Sequence, residues 1–493
     1  LGIIINQSIK NSAISYVGII LGFIATIKLF PNILTIDQFG LTRVMISITT
    51  LSVQFLNFGI PKSIIKFSPK LRDLTTKPSS IYWAFIIPPL IAFIAFIIIF
   101  LGLEFKILEW YQADSILLSN YYIFIIPLVF FTSSFGLLNS FLKSNFDTVF
   151  ASFLQDVFLR IVTIINLLFY SANLIDFETF IIIFVANYAL QYILLFIYAV
   201  SKDLIKFQFD YSLFTPSSFV EIFKYSFYAF FSGLTILIIG NIDLLMIGVF
   251  EGLSLTGVYA VAIYVGAVIL APKKSLAKIS FPIISNFFKD NDIKLIKDIY
   301  KKTSLNQYIA GLLIYIGVLA NINNLFAILP EEYVAGAIVI VIIGLGNLFD
   351  MITGANGQII ISSPNYRFDF YSSLIIIVIA IISNYILIPK FSIVGAAIAT
   401  TFSILSGNII RVYYVWFKFK IQPFSWELIG VTILGISLYF ISIQINELTN
   451  IYLDIVLRSI SILTLYLGGV WVFNLSEDVK SILELSFKRL FKH

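Results

Sequence analysis

The chain has 493 residues, of which 59% are hydrophobic and 12% charged, and its mean hydropathy of +0.98 excludes water as the main solvent of the fold. It has no cysteine, and its single histidine is the terminal His493, which excludes disulfides, thiolate metal sites and histidine chemistry in the apolar body. The net charge of +5 takes its meaning from where the basic residues fall.

In chain order, windows of membrane length predict about fourteen spanning helices, at 12–34, 41–61, 81–103, 119–142, 150–171, 177–200, 222–249, 254–284, 304–326, 333–358, 368–388, 392–417, 426–445 and 452–473. The fold class expected is therefore all-α, a polytopic membrane protein with no large soluble domain. A lipid-spanning barrel would need alternating segments, whereas runs such as Ile81 to Leu103 and Phe370 to Ile388 are continuously apolar. The segment ahead of the first span carries Lys10 and no small-residue cleavage site, which predicts an uncleaved span rather than a signal peptide. Leu1 in place of methionine reads as an alternative start codon or a slightly trimmed chain.

Alternating the loops between the two sides separates them by charge. One set holds Lys62, Lys66, Lys70, Arg72, Lys77, Lys143, Lys202, Lys206, Lys289, Lys294, Lys297, Lys301, Lys302, Arg367, Lys418, Lys420, Lys480, Lys488, Arg489 and Lys492. The other holds Lys106 and Lys390 against acids that include Asp37, Glu104, Asp114, Asp176, Glu331 and Glu447. Because short cytoplasmic loops retain positive charge, both termini are expected to be cytoplasmic. A missed span would have swapped the charge class of every later loop.

A weak internal repeat relates Asp37-Gln38-Phe39-Gly40-Leu41 to Ser254-Leu255-Thr256-Gly257-Val258-Tyr259. In each, a short acidic turn containing glycine joins two apolar helices, and the two hairpins run the same way across the membrane. The repeat predicts an N-terminal six-helix lobe over 1–205, a C-terminal six-helix lobe over 206–422, and two extra helices with a cytoplasmic tail over 423–493.

Across nearly its whole length the chain resembles the polysaccharide transporter branch of the MOP (multidrug/oligosaccharidyl-lipid/polysaccharide) superfamily, the Wzx-type O-antigen flippases. The resemblance is carried by Gln38-Phe39-Gly40-Leu41 through Gly59-Ile60-Pro61, by Asn241-Ile242-Asp243-Leu244-Leu245-Met246-Ile247-Gly248 with Thr256-Gly257-Val258-Tyr259-Ala260, and by Val394-Gly395-Ala396-Ala397-Ile398-Ala399-Thr400 leading to Ile410-Arg411. It implies two six-helix lobes around a central cavity plus two C-terminal helices, in a bacterial or archaeal cytoplasmic membrane. The implied activity is translocation of an undecaprenyl-diphosphate-linked oligosaccharide, an O-antigen or capsular or exopolysaccharide repeat unit, to the periplasmic or outer leaflet by alternating access. The implied partners are that substrate, membrane lipids, a coupling proton or sodium ion, and a polysaccharide polymerase with a chain-length regulator; nucleic acid, cofactors and bound metal are not expected. A multidrug or cation antiporter and a lipid II flippase of the same superfamily remain open. A polymerase or ligase is the distant rival, since such enzymes need a long outer loop for chemistry and none emerges here.

Passing a diphosphate and sugar hydroxyls through hydrocarbon calls for cations and hydrogen-bonding side chains in a wet cavity. Lys28, Arg43 and Arg160 in the N-terminal half are the candidate phosphate contacts. Asp156 lies four residues before Arg160 and is equally readable as its neutralising partner, while Lys28 and Arg43 are readable as cations snorkelling to an interface. Asp243 and Asp350 are candidates for ion coupling or charge pairing. Lys273, Lys274 and Lys278 read as an interfacial anchor or a cavity lining, and Arg458 is a further intramembrane cation.

Overall fold

The computed structural model describes residues 2–72, 79–111, 115–206, 216–290, 292–365, 367–445, 447–481 and 484. Lys77, Asp114, Lys488, Arg489, Lys492 and His493 lie outside the described residues, as do the side chains of Lys274 and Lys278. All regular elements among the described residues are helical. By their internal contacts they fall into two units, Leu1–Gly257 and Val258–His493.

The first unit begins with α1 (Gly2–Phe23), which passes through a π turn at Ile24–Leu29 into the short α2 (Phe30–Ile33). Helix α3 (Ile36–Asn57) starts on a capping box: the Thr35 hydroxyl accepts from the Gln38 amide, and the Gln38 side chain accepts from the Thr35 amide. It ends at Phe58 and Gly59, both left-handed, and a Cβ on Gly59 would lie 2.2 Å from the Ser226 carbonyl oxygen. Glycine therefore meets both the backbone and the space at this kink. The chain continues through α4 (Ile60–Arg72), α5 (Ser80–Gly102), α6 (Glu104–Trp110), α7 (Ser115–Tyr121) and α8 (Ile125–Ser144). Next come α9 (Val149–Phe153), a second π turn at Leu154–Phe158, α10 (Leu159–Ser171), α11 (Phe177–Ser201) and α12 (Pro216–Glu251).

Helix α8 is the axis of this unit, with α3, α4, α5 and α11 packed on it. Phe67 of α4, Tyr82 and Phe85 of α5, Leu138 and Phe141 of α8 and Leu195 of α11 bury together in one apolar core. On the opposite face of α5, Ile91, Ile94 and Ile98 are 61–69% exposed, which suits a helix whose outer solvent is lipid. Helix α12, assigned from sequence to the C-terminal lobe, packs against α3 and α4 of the first unit. Ser63 and Ser226 share a hydroxyl hydrogen bond at 2.7 Å, and Gln54 donates to the Phe230 carbonyl at 2.9 Å.

The chain passes into the second unit within α13 (Leu253–Val268). There follow α14 (Ala271–Lys289), α15 (Ile293–Ala320), α16 (Ile322–Ile328), α17 (Ala337–Ile352), α18 (Asn356–Ser362), α19 (Arg367–Phe419), α20 (Glu427–Ile443) and α21 (Ile451–Val472). Helix α15 is central here, packing on α14, α17, α20 and α21. Tyr308, Leu312, Met351, Val431 and Tyr466 form its apolar contacts.

Ten helices among the described residues are long and apolar enough to cross a membrane, or eleven with the pair Val220–Thr235 and Leu237–Glu251, which meet at 52°. The protein is thus an all-α polytopic membrane protein. The sequence divides the same helices more finely. Helix α19 counts once at 53 residues, about 80 Å at 1.5 Å per residue, yet its backbone leaves the helical region at Ser392. Leu253–Val268 and Glu427–Ile443 are apolar but shorter than the other spans.

Candidate functional site

Three helices of the first unit bring charge to one neighbourhood. Arg43, half-buried on α3, places its guanidinium 4.9 Å from the Phe30 ring centre and 4.6 Å from that of Phe39. Both rings present their faces to the cation. Arg160 is half-buried on the first turn of α10. Tyr188 of α11 lies within electrostatic reach of both Arg43 and Arg160. Lys28 sits on the first π turn with an exposed side chain, and that turn packs against α10.

The spacing of Asp156 and Arg160 suggested mutual neutralisation, but the two form no ion pair. The second π turn lies between them in register: its wider turn removes the alignment that α-helical residues four apart would have. Asp156 instead accepts a hydrogen bond from Ser15 of α1 at 3.1 Å and lies within reach of the Lys143 charge. Helix α1 fits closely there, since a Cβ on Gly18 would lie 2.6 Å from the Asp156 carbonyl oxygen. Among the described residues Arg160 is left with no carboxylate partner.

Asp243 is fully buried on α12 in the first unit. Asp350, in the second unit, is paired: its carboxylate meets Lys273 of α14 at 2.6 Å and accepts from Asn408 of α19 at 2.8 Å. The Asn408 side-chain oxygen accepts in turn from Thr353 and Asn356, each at 2.8 Å. One turn further along α19, Arg411 pairs with Asp369 at 3.1 Å. Lys273, read from sequence as an anchor or a lining residue, is thus a structural partner of Asp350.

Further ionic contacts of the second unit were also missed in the sequence, among them Arg411 with Asp369 and Arg458 with Asp454. The latter pair is buried on α21 at 3.1 Å. Arg458 also donates to the Ser442 carbonyl at 2.8 Å and the Ile445 carbonyl at 3.3 Å, closing the end of α20. Asp454 accepts from Asn324 and from the Leu448 amide. An acid followed four residues later by arginine was the available signal. Tyr188 had no signal, because only the fold brings it to the two arginines. Among the described residues, no three acidic or histidine side chains cluster as a metal site would require.

Residues 6–288, more than half of the chain, match the family model described as polysaccharide biosynthesis protein. A probable low-salt glycan biosynthesis flippase of Haloferax volcanii is 22% identical over 48% of this chain and 51% of its own length; the match spans about half of that curated relative. Among solved structures, the lipid II flippase MurJ in an inward closed conformation has a TM-score of 0.69 at 15% identity, covering 95% of this chain and 98% of that one. An inward-facing multidrug resistance MATE family transporter of the MOP superfamily has a TM-score of 0.59 at 10% identity, covering 83% of this chain and 94% of that one. Both solved proteins are transporters rather than enzymes. The chain belongs to the polysaccharide biosynthesis protein family, and its fold is that of the MOP-superfamily transporters.

Proposed function

We propose that this protein is a flippase for undecaprenyl-diphosphate-linked oligosaccharide, moving it from the cytoplasmic to the outer leaflet of a bacterial or archaeal membrane by alternating access. The observation that carries this reading is Arg160, half-buried on α10 with no carboxylate partner among the described residues, Asp156 being engaged by Ser15 of α1 instead. A cation in an apolar protein without a carboxylate partner is costly unless an anion from outside completes it, and a diphosphate offers that anion in a geometry arginine grips well. Lys28, on the π turn packed against α10, extends the same positive surface. Asp243 is the candidate for ion coupling; Asp350 is assigned to charge pairing because Lys273 occupies it.

The reading includes fourteen spans and cytoplasmic termini. The break at Ser392 and the two shorter apolar helices support that count, and the one-sided distribution of lysine and arginine supports the orientation. The likeness in fold to a lipid II flippase favours, as the second reading, a different lipid-linked saccharide rather than a different chemistry.

Reconstitution in liposomes tests the proposal. Lipid-linked oligosaccharide labelled on its glycan should become accessible on the opposite leaflet at a rate dependent on the protein. Label that stays on its original leaflet while a cationic drug is exchanged would replace the flippase with an antiporter.

A further inference from the structure

Away from the two arginines, the first unit has an open cleft of about 990 Å³, at the upper end of the volumes that bind small ligands. It is formed where the end of α2, the end of α10 and the turn into α11 meet. In the proposed orientation this is the outer side of the membrane, because both connections belong to the acidic set of loops. The lining carries Asn32, Tyr170, Ser171, Asn173, Asp176 and Phe177, and no lysine or arginine.

That chemistry does not suit a phosphate, which needs cations. It suits a neutral polyhydroxylated ligand: amides and hydroxyls serve as donors and acceptors, and an aromatic ring offers its face to sugar C–H groups. The aromatic side is built in, with Phe177 edge-on to Tyr121 at 5.3 Å and stacked on Phe180 at 5.8 Å. The Tyr170 hydroxyl is positioned by the Gln38 side chain at 3.4 Å. Asp176 caps α11, its Oδ1 accepting from the Thr179 amide at 2.9 Å. Hydrogen bonds from Thr179 hold its carboxyl below the usual carboxylate range, so it is an acceptor at neutral pH. A single carboxylate leaves the cleft short of a divalent-cation site.

We propose that this cleft is a saccharide-binding subsite on the outer side of the first unit, which receives the uncharged sugars of the lipid-linked substrate separately from the cations that contact its diphosphate. This inference rests on the flippase reading and adds a second, phosphate-independent point of recognition to it.

The experiment uses the full chain in nanodiscs and the water-soluble glycan released by mild acid from the lipid-linked oligosaccharides of the source cells, with inorganic pyrophosphate as the comparison. Amide hydrogen exchange across 170–179 should slow with the released glycan and not with pyrophosphate. Ser171→Ala and Asn173→Gly should each weaken glycan binding by about tenfold, the loss of roughly one good hydrogen bond. Glycine keeps the left-handed backbone that Asn173 adopts at φ 55°. Asp176→Ser, which retains a helix cap, should weaken it similarly. If the wild-type protein flips the intact lipid-linked oligosaccharide but the released glycan leaves 170–179 unprotected, the subsite is overturned and the flippase reading stands. If the wild-type protein does not flip that lipid, the flippase reading fails and takes the subsite with it. Protection by pyrophosphate equal to that by glycan would also overturn the subsite.

Discussion

The two units differ in what surrounds their helix arginines. In the second, Lys273 with Asp350, Arg411 with Asp369 and Arg458 with Asp454 are matched pairs, each supported by neighbouring amides, hydroxyls or carbonyls or by a second charge. In the first, Arg160 has no carboxylate partner among the described residues. A charge in lipid has to be answered by something. Where the protein answers it internally, the charge is architecture; where it does not, the answer is expected from a ligand.

This contrast can be broken at several points. The largest effect on folding is expected at Arg458, where Arg458→Ala leaves Asp454 buried without its cation and should destabilise the second unit by about 3–5 kcal/mol, read as loss of thermal stability in detergent. Arg458 and Asp454 replaced together by leucine should recover much of that loss, since a buried pair exchanged for packed apolar side chains costs little. On the other side of the contrast, Arg160→Gln should lower flipping by about ten- to a hundredfold, the value of a charged hydrogen bond to phosphate, with thermal stability unchanged. Asp350→Asn should cost about 1–3 kcal/mol, because Lys273 loses its counter-charge and one of the two carboxylate oxygens that serve Lys273 and Asn408 becomes a donor. Thr35→Ala removes only the capping box of α3 and should cost about 1 kcal/mol, measured in the same thermal scans; a loss as large as that at Arg458 would mean the cap does more than start a helix.

Much of the fold was legible in the sequence because hydrocarbon imposes a length and an apolar composition on every span. Boundaries were less so. The second span, read as starting at residue 41, starts at Ile36, because the Thr35 and Gln38 capping box lies outside a hydropathy window. The choice between pairing and substrate contact at Asp156 and Arg160 stayed open for a related reason: a π turn adds a residue without altering hydropathy, so the four-residue spacing looked α-helical when the backbone was not. Asp350 and Lys273 are 77 residues apart, and only folding brings them together. Asp454 and Arg458 were readable at four-residue spacing, both inside the last predicted span. The candidate cations, by contrast, were chosen from the cost of carrying lysine or arginine in apolar runs.

In the proposed mechanism Arg160 is open to substrate, whereas Arg411 and Arg458 of the second unit are paired with acids. The most direct measurement is the flipping rate of lipid-linked oligosaccharide, per folded protein, for Arg160→Gln beside wild type in the same liposomes. The account predicts a rate lower by about ten- to a hundredfold at equal thermal stability. A wild-type rate for Arg160→Gln would contradict it.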